Sequence, residues 1–567
     1  MPKLSKKISL KKGFQQKGVA LILMAVILAL AASAYAIKVF NVSSIQARQE
    51  TDASTILANA KATLLGYTFG RVGAGERPGN MPYPDYFAST EVPANYDGFA
   101  DDGCMDSTKA DGLPLISIGS NMSCLGRLPW QTIGMTLPNP SQNDALGIMP
   151  WYAVSANLVD TNCFTALNPG ILNATACSGG APLHPWLTVR DNKGNIISNR
   201  VAIVLILPKQ AIGNQARPSL PLGDVRNYLD TAVVPAGCSA PCVPGTYSNA
   251  DLDNDFIMAS GLASVNIDQN NQNLAITIND KVLFITIDEF MAELTKRAAG
   301  EARKLLNSYK ANNQGSLNTT HFPYAAPLGA ALNNNNSNGT STKGSLPIDI
   351  TDTCSCTSGA SCTCNFQAIS NVAFKKSSGA PWTSKTLACT YAGPICTCTG
   401  AGSCKSGARS FNCGANGLCT HNVAGASTYA VPNHADIVSV ANGCVLLNSV
   451  SVVCNAVGSF KIGLKEPTWF KTNLWQDYFY YHQSSTPILQ VGHKPSDPGY
   501  QQGEIYHTGI YALIIGTGSI LVRQTRPSSF VADYLDSPEN TNGDSVYDAI
   551  GTVRNVNYND QSFIVAP

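Results

Sequence analysis

Lys12-Gly13-Phe14-Gln15-Gln16-Lys17-Gly18, with the apolar run that follows it to Ile37, decides how this chain is read. Five lysines (Lys3, Lys6, Lys7, Lys11, Lys12) precede Gly13, and the segment Gly18 to Ile37 holds no charged side chain. Its length matches the ~20 residues that a helix needs to cross a bilayer. A secretory signal has an apolar core of about 7–15 residues, so the small-x-small triplet Ala34-Tyr35-Ala36 is a weaker cleavage site than its form suggests. Phe14 to Leu65 contains no proline and only one glycine, Gly18. Beyond Lys38, apolar or small residues recur at Val42, Ile45, Ala53, Ile56, Ala60 and Leu64, on one helical face. Gly66 and Gly70 then supply stop signals. The pattern predicts one helix over 14–66, half membrane-type and half amphipathic.

The Gly13/Phe14 junction ahead of a retained apolar run resembles the type IV prepilin signal, and Thr63-Leu-Leu-Gly-Tyr-Thr68 adds to the likeness. Met81-Pro-Tyr-Pro-Asp85, Leu128-Pro-Trp-Gln-Thr132 and Trp151-Tyr-Ala-Val-Ser155 follow in order, as in a group of large bacterial pilin-like proteins to which no catalytic activity is attached. The resemblance implies a 1–13 leader cut after Gly13, methylation of Phe14, and helix packing through Gly18, Leu21, Ile22, Ile27 and Leu28. Partners would be prepilin peptidase, other pilins or pseudopilins, and the inner membrane. Major pilins carry a glutamate five residues into the mature chain, where this sequence has Gly18. An amine buried in apolar surroundings without a counter-charge is costly, which points away from the filament shaft and toward a minor, tip-located or initiating subunit.

Composition fits export. Only 13% of residues are charged, and the net charge of +1 becomes −4 once the five leader lysines are removed, so nothing suggests nucleic-acid binding. Lysines ahead of the apolar run place the N-terminus in the cytoplasm. The expected location is therefore a single-pass inner-membrane precursor with a periplasmic head, later at the cell surface in an extracellular filament. The 18 cysteines would then sit where disulfides form.

The expected fold class is α+β: a long N-terminal hydrophobic pilin-like helix carrying a large mixed head with antiparallel sheet and a disulfide-rich insertion. The first section of the head covers 67–225, with Val201–Leu207 as a buried strand and Trp130 and Trp151 as core aromatics. The second section covers 226–315. There the strand Lys281–Thr286 runs into a helix whose Thr286 and Glu289 form a capping box and whose Phe290, Leu294, Ala298, Ala302, Leu305 and Tyr309 share one face. Residues 316–460 combine an Asn/Ser/Thr-rich linker with a cysteine-rich insertion, and 461–567 close the head, with strands at Ile510–Ile515 and Gln561–Val565.

In the insertion, Cys354, Cys356 and Cys362 recur 42 residues later as Cys396, Cys398 and Cys404, the mark of a duplicated hairpin or loop. With Cys364 they are the disulfide candidates; Cys-x-Cys is also a soft-metal pattern, and the pairing stays open. Asp97, Asp101, Asp102 and Asp106 surround two glycines in a way suited to calcium, and no other cofactor is expected; the plainer reading is an Asp/Gly turn beside a disulfide. Asp251-Leu-Asp-Asn-Asp255 begins like a calcium loop, but Phe256 and Leu262 replace its glycine and glutamate, which leaves a solvated turn. The aromatic run Trp469–His482 is either a glycan-stacking platform or core. No His-Glu-x-x-His, Gly-x-Ser-x-Gly or phosphate loop occurs. The expected function is a non-catalytic minor pilin-like component of a type IV pilus or secretion pseudopilus, serving assembly initiation or adhesion to a surface or glycan receptor. The alternatives are an anchored binding protein that does not polymerise and a secreted enzyme on a pilin-like stem.

Overall fold

The computed structural model describes residues 50–71, 77–85, 97–101, 104, 124–136, 149–159 and 163–209. It continues, with short interruptions, through 211–215, 225–258, 278–313, 322–329, 341–348, 467–492, 505–548 and 559–567, and gives strand backbones within 351–464.

Strand Ile196–Leu207 is the centre of the first sheet, because its apolar half can be buried on both faces. It pairs antiparallel with Trp151–Val154, with Leu187–Arg190 and with Lys281–Thr286; Cys124–Arg127 and Asp255–Ile257 extend the sheet at its edges. Ala202, Ile203, Leu205 and Leu207 join the main core, while Val201, Val204 and Ile206 join a second core with Trp151, Tyr228 and Phe256. The period of two thus divides one strand between two cores. Lys281–Thr286 belongs to this sheet, so the head sections 67–225 and 226–315 share it.

The helix Ile287–Asn313 starts with half of the predicted box: the Glu289 amide donates to Thr286 Oγ1 at 3.1 Å, while the Glu289 carboxylate pairs with Lys61. Phe290, Leu294, Ala298, Ala302, Leu305 and Tyr309 are all buried. The helix packs on strands Ile196–Leu207 and Lys281–Thr286 and also on Ala512–Gly516 and Gln561–Ala566. Those last two belong to a four-stranded antiparallel sheet with Phe479–Gln483 and Lys343–Ser345. The predicted strand Ile510–Ile515 is divided at Tyr511 between Ile505–Ile510, in a separate sheet, and Ala512–Gly516.

Residues 50–70 form a helix beside this layer. Ala53, Leu57, Ala60 and Leu64 are buried in the main core, and Lys61 pairs with Glu289 at 2.5 Å. Gly66 does not stop the helix. A glycine costs about 1 kcal/mol inside a helix, and the next turn offsets this by docking: Thr68 is fully buried, and the Phe69 ring lies 5.2 Å from that of Phe290. Gly70 is the last helical residue.

Two expectations are corrected here. Among the described residues the fold is mixed α/β and mostly sheet, without the long apolar N-terminal helix that was to carry the head. Among the described residues no helix is long and apolar enough to cross a membrane, so the single-pass inner-membrane location is not supported. The part of the expected helix that is described, 50–70, is the half read as amphipathic, and its narrow apolar stripe is buried in the protein's own core rather than free to pack a filament or a membrane. The run Gly18–Ile37 and the positions Gly13, Phe14, Gly18, Leu21, Ile22, Ile27 and Leu28 lie outside the described residues.

The cysteine-rich stretch forms a five-stranded antiparallel sheet in the order Ile369–Phe374, Ser361–Phe366, Thr351–Thr357, Val457–Leu464, Ala435–Ala441. Two three-stranded sheets accompany it, Gly402–Ser406/Arg409–Cys413/Cys419–His421 and Ser427–Ala430/Ser451–Cys454/Cys444–Asn448.

Candidate functional site

A buried polar network holds the segment that follows strand Ala512–Gly516. Its centre is Arg526. Nε donates to Asp533 O at 2.6 Å; Nη1 donates to Thr517 Oγ1 and Gly518 O, both at 3.0 Å; Nη2 donates to Thr517 O at 3.1 Å, Gln524 Oε1 at 3.1 Å and Tyr534 O at 2.9 Å. All five guanidinium N–H groups are thereby drawn to both ends of one loop. Burial pushes the Arg526 pKa down, opposed by the Asp536 and Asp560 charges.

Behind the arginine lies a carboxylate pair. Asp536 Oδ1 accepts from Gln524 Nε2 at 2.7 Å and Oδ2 from the Asn559 amide at 2.6 Å. Asp560 Oδ2 accepts from the Asp536 amide at 2.8 Å and from Asn540 Nδ2 at 3.0 Å. Asp560 is 1% exposed. Burial, and then the Asp536 charge, pushes its pKa up to about 7, and burial also raises that of Asp536. Gly518 has φ +58, and a side chain there would strike Asn559, so the loop needs glycine at this turn. In front of this lattice, Val522 is fully exposed, Phe530 is 72% exposed and Ile520 is 36% exposed. A rigid loop carrying three apolar side chains into solvent can supply contact area to a partner at little ordering cost.

The predicted sites divide as follows. Asp97 Oδ1 accepts from the Phe99 amide at 2.7 Å, and the Gly98 amide donates to Asp85 Oδ2 at 2.8 Å, an Asp/Gly turn in which the carboxylates hold backbone. Asp101 donates its amide to Pro84 O at 3.4 Å; Asp102 and Asp106 lie outside the described residues. Cys104 is bonded to Cys124, beside that turn as the plainer reading had it. Among the described residues no group of three His, Cys, Asp or Glu side chains is placed to hold a metal ion.

Asp251 is less solvated than its turn suggested. Burial, and then the Asp253 charge, pushes its pKa up to about 7. Phe256 stands where a calcium loop has glycine because it is a fully buried core residue. The aromatic run is mostly core: Trp469, Phe470, Trp475, Phe479, Tyr480 and Tyr481 are each at most 3% exposed and Tyr478 is half-buried, so those six present no stacking face to a glycan. Trp151 is core as expected; Trp130 is half-buried and closes over Gly98.

His482 is a buried structural tie. It is 4% exposed and its Nδ1 meets Tyr547 Oη at 2.6 Å. Burial, then the Lys343 charge, pushes its pKa down to about 3. Nearby, Ser537 Oγ donates to Asp548 Oδ2. Both pairs are buried and serve to tie strands and loops together.

The strands give the cysteine candidates a register. Cys354 lies opposite Cys364 and Cys356 opposite Cys362. Cys404, which matches Cys362 at the 42-residue offset, lies opposite Phe411, so the sequence repeat is not matched by an equal pairing. Cys396 and Cys398 lie outside the described residues. Three disulfides not anticipated as pairs, Cys104–Cys124, Cys163–Cys177 and Cys238–Cys242, are formed among the described residues.

Sequence reading missed Arg526, Gln524, Asp536 and Asp560. The one local signal was Ile520-Leu521-Val522, an apolar triplet among Gly, Ser and Arg with no strand pattern around it.

No family model, no curated protein and no solved structure matches this chain.

Proposed function

We propose that this protein is a non-catalytic minor pilin-like subunit of a type IV pilus or related secretion pseudopilus, acting at or near the tip in assembly initiation or adhesion. The observation that carries the reading is the Lys12-Gly13-Phe14 junction ahead of an uncharged run to Ile37, which resembles a processing signal that would leave the apolar segment on the mature chain. The 50–70 helix, which follows that run in sequence and is fixed to the body's core, supports it: force or position at the N-terminal segment would be passed to a sheet-rich body. For adhesion, the Thr517–Asp536 loop offers Ile520, Val522 and Phe530 on a rigid support.

The test is the mature N-terminus, read by mass spectrometry on protein sheared from cells with and without prepilin peptidase. A methylated Phe14 in the sheared fraction, lost without the peptidase, is the expected result. An intact Met1 or Pro2 end in every fraction, or a start at Ile37, would overturn the reading.

A further inference from the structure

We propose that Cys354–Cys364, Cys356–Cys362, Cys413–Cys419 and Cys444–Cys454 are four cross-strand disulfides that staple the sheets of the 351–464 region. The observation is the register. In each case two cysteines occupy directly facing positions on neighbouring antiparallel strands: 354 with 364 and 356 with 362 in one hairpin, 413 with 419, and 444 with 454.

Facing positions of an antiparallel pair have Cα atoms about 4.5–5.5 Å apart. A disulfide needs Cα atoms about 4.4–6.8 Å apart and Cβ atoms about 3.5–4.5 Å apart. The rival pairings fail that pair of limits. Two residues apart on one strand means about 6.6 Å along the strand for Cα and Cβ atoms alike, which passes the Cα limit and fails the Cβ one, and the diagonal pairs 354/362 and 356/364 separate by roughly 7–8 Å. Only the facing partners, whose Cβ atoms lie about 4.5–5.5 Å apart and closer in non-hydrogen-bonded pairs, come within reach of both.

Register also places the first two pairs on one face of the five-stranded sheet. The row through Cys354 and Cys364 continues to Val372 on one side and to Phe460 and Val440 on the other; the row through Cys356 and Cys362 continues to Phe374 and Gly458. The opposite face holds Thr353, Ser355, Thr357, Thr363, Asn365, Ser459 and Lys461. Neutral cystines suit this more apolar face, on which the next row holds Asp352 and Ile462. Four thiolates around a divalent cation would bring net negative charge to it, which is costly in apolar surroundings. The same chain already carries Cys104–Cys124, Cys163–Cys177 and Cys238–Cys242 as disulfides, each local in sequence like the four proposed. Cys404 faces Phe411, so its own partner falls among Cys389, Cys396 and Cys398.

Each bond forms when two thiols give up two protons and two electrons, taken by the disulfide of a thiol–disulfide oxidant, which leaves as a dithiol. The inference does not depend on the filament reading.

The experiment uses the full chain purified without reductant, denatured in iodoacetamide and mapped by mass spectrometry. Wild type should show none of the eight cysteines alkylated. Cys444→Ser should add one alkylated thiol, at Cys454; Cys419→Ser should add one at Cys413; Cys364→Ser should add one at Cys354. A chymotryptic map of the wild type, cut after Phe411, Leu418 and Tyr429, reads two of the bonds without any variant: the Cys413 and Cys419 peptides should be linked to each other and not to Cys444 or Cys454. A thiol freed at any other cysteine would overturn the pairing. So would wild type with Cys354, Cys356, Cys362 and Cys364 all alkylated after chelation and one zinc released per chain, which would make the hairpin a metal site.

Discussion

Arg526 reaches Asp536 through Gln524, whose Oε1 accepts from the guanidinium at 3.1 Å while its Nε2 donates to Asp536 Oδ1 at 2.7 Å. The same Oε1 also accepts the Leu521 amide at 3.0 Å, so one amide side chain fixes the loop tip, the arginine and the carboxylate. Gln524→Leu keeps most of the volume and removes all three bonds. Each unsatisfied buried group costs about 1–3 kcal/mol, so the variant should lose roughly 3 kcal/mol in denaturant unfolding. Hydrogen exchange should rise across 517–536 and stay unchanged in the Ile287–Asn313 helix. Equal exchange in both regions would mean that the loop is held by something else.

The pH dependence of stability should have two opposed arms. Asp560 keeps its proton up to about pH 7 when folded, against an ordinary 3.8. Between those values the folded chain holds more protons than the unfolded one, so this group's contribution is complete at the acid end and is lost as pH rises. Asp251, also raised to about 7, has the same sign. His482 acts the other way. It titrates near 3 when folded, against an ordinary 6.5, so the unfolded chain holds the extra proton and stability grows with pH across that window. Asp560→Asn should flatten the falling arm between pH 4 and 7, and His482→Gln the rising arm between pH 3 and 6.5, in chemical denaturation at stepped pH. An Asp560→Asn curve parallel to wild type would show that the carboxyl is ionised in the folded state.

Periodic apolar segments were legible in the sequence. Val201–Leu207 and Lys281–Thr286 are strands, and the helix beginning at Ile287 buries each residue predicted for its inner face, because a stripe that repeats every 3.6 residues, or a run flanked by turn signals, has few other ways to be buried. The break at Tyr511 was not legible: residues 510–515 read as one apolar run, yet Tyr511 leaves the ladder to exchange bonds with Ala566 and Ser484. Arg526 was invisible for a related reason. Four of its six acceptors are backbone carbonyls, which leave no side-chain signature. The extent of the first helix was misjudged because the residues that carry it past Gly66 act through tertiary contacts with Met81 and Phe290.

The seam between the two helices should be sensitive to truncation. Leu64 is fully buried in the main core, and Leu→Ala in a core costs about 2–5 kcal/mol. Leu64→Ala should fall in that range by denaturant midpoint. Lys61→Ala, which breaks a partly exposed ion pair with Glu289, should cost no more than about 1 kcal/mol. A Leu64→Ala loss below that of Lys61→Ala would mean that the 50–70 helix is not part of the cooperative core.

The exposed apolar residues give the adhesion proposal its own test, separate from processing at Phe14. Val522 and Phe530 touch solvent rather than core, so Val522→Ser with Phe530→Ser should change stability by no more than about 0.5 kcal/mol per site. If the loop is the contact surface, the double variant should still appear in the sheared fraction with its N-terminus processed, while attachment of cells to their substratum falls by at least tenfold, the loss expected when ~1.4 kcal/mol of apolar contact is removed. Apolar burial contributes about 25 cal/mol per Å², so two side chains of this size can supply that amount. Normal attachment by a folded, processed and displayed double variant would move recognition away from this loop, whereas loss of display with normal folding would place these residues in assembly instead.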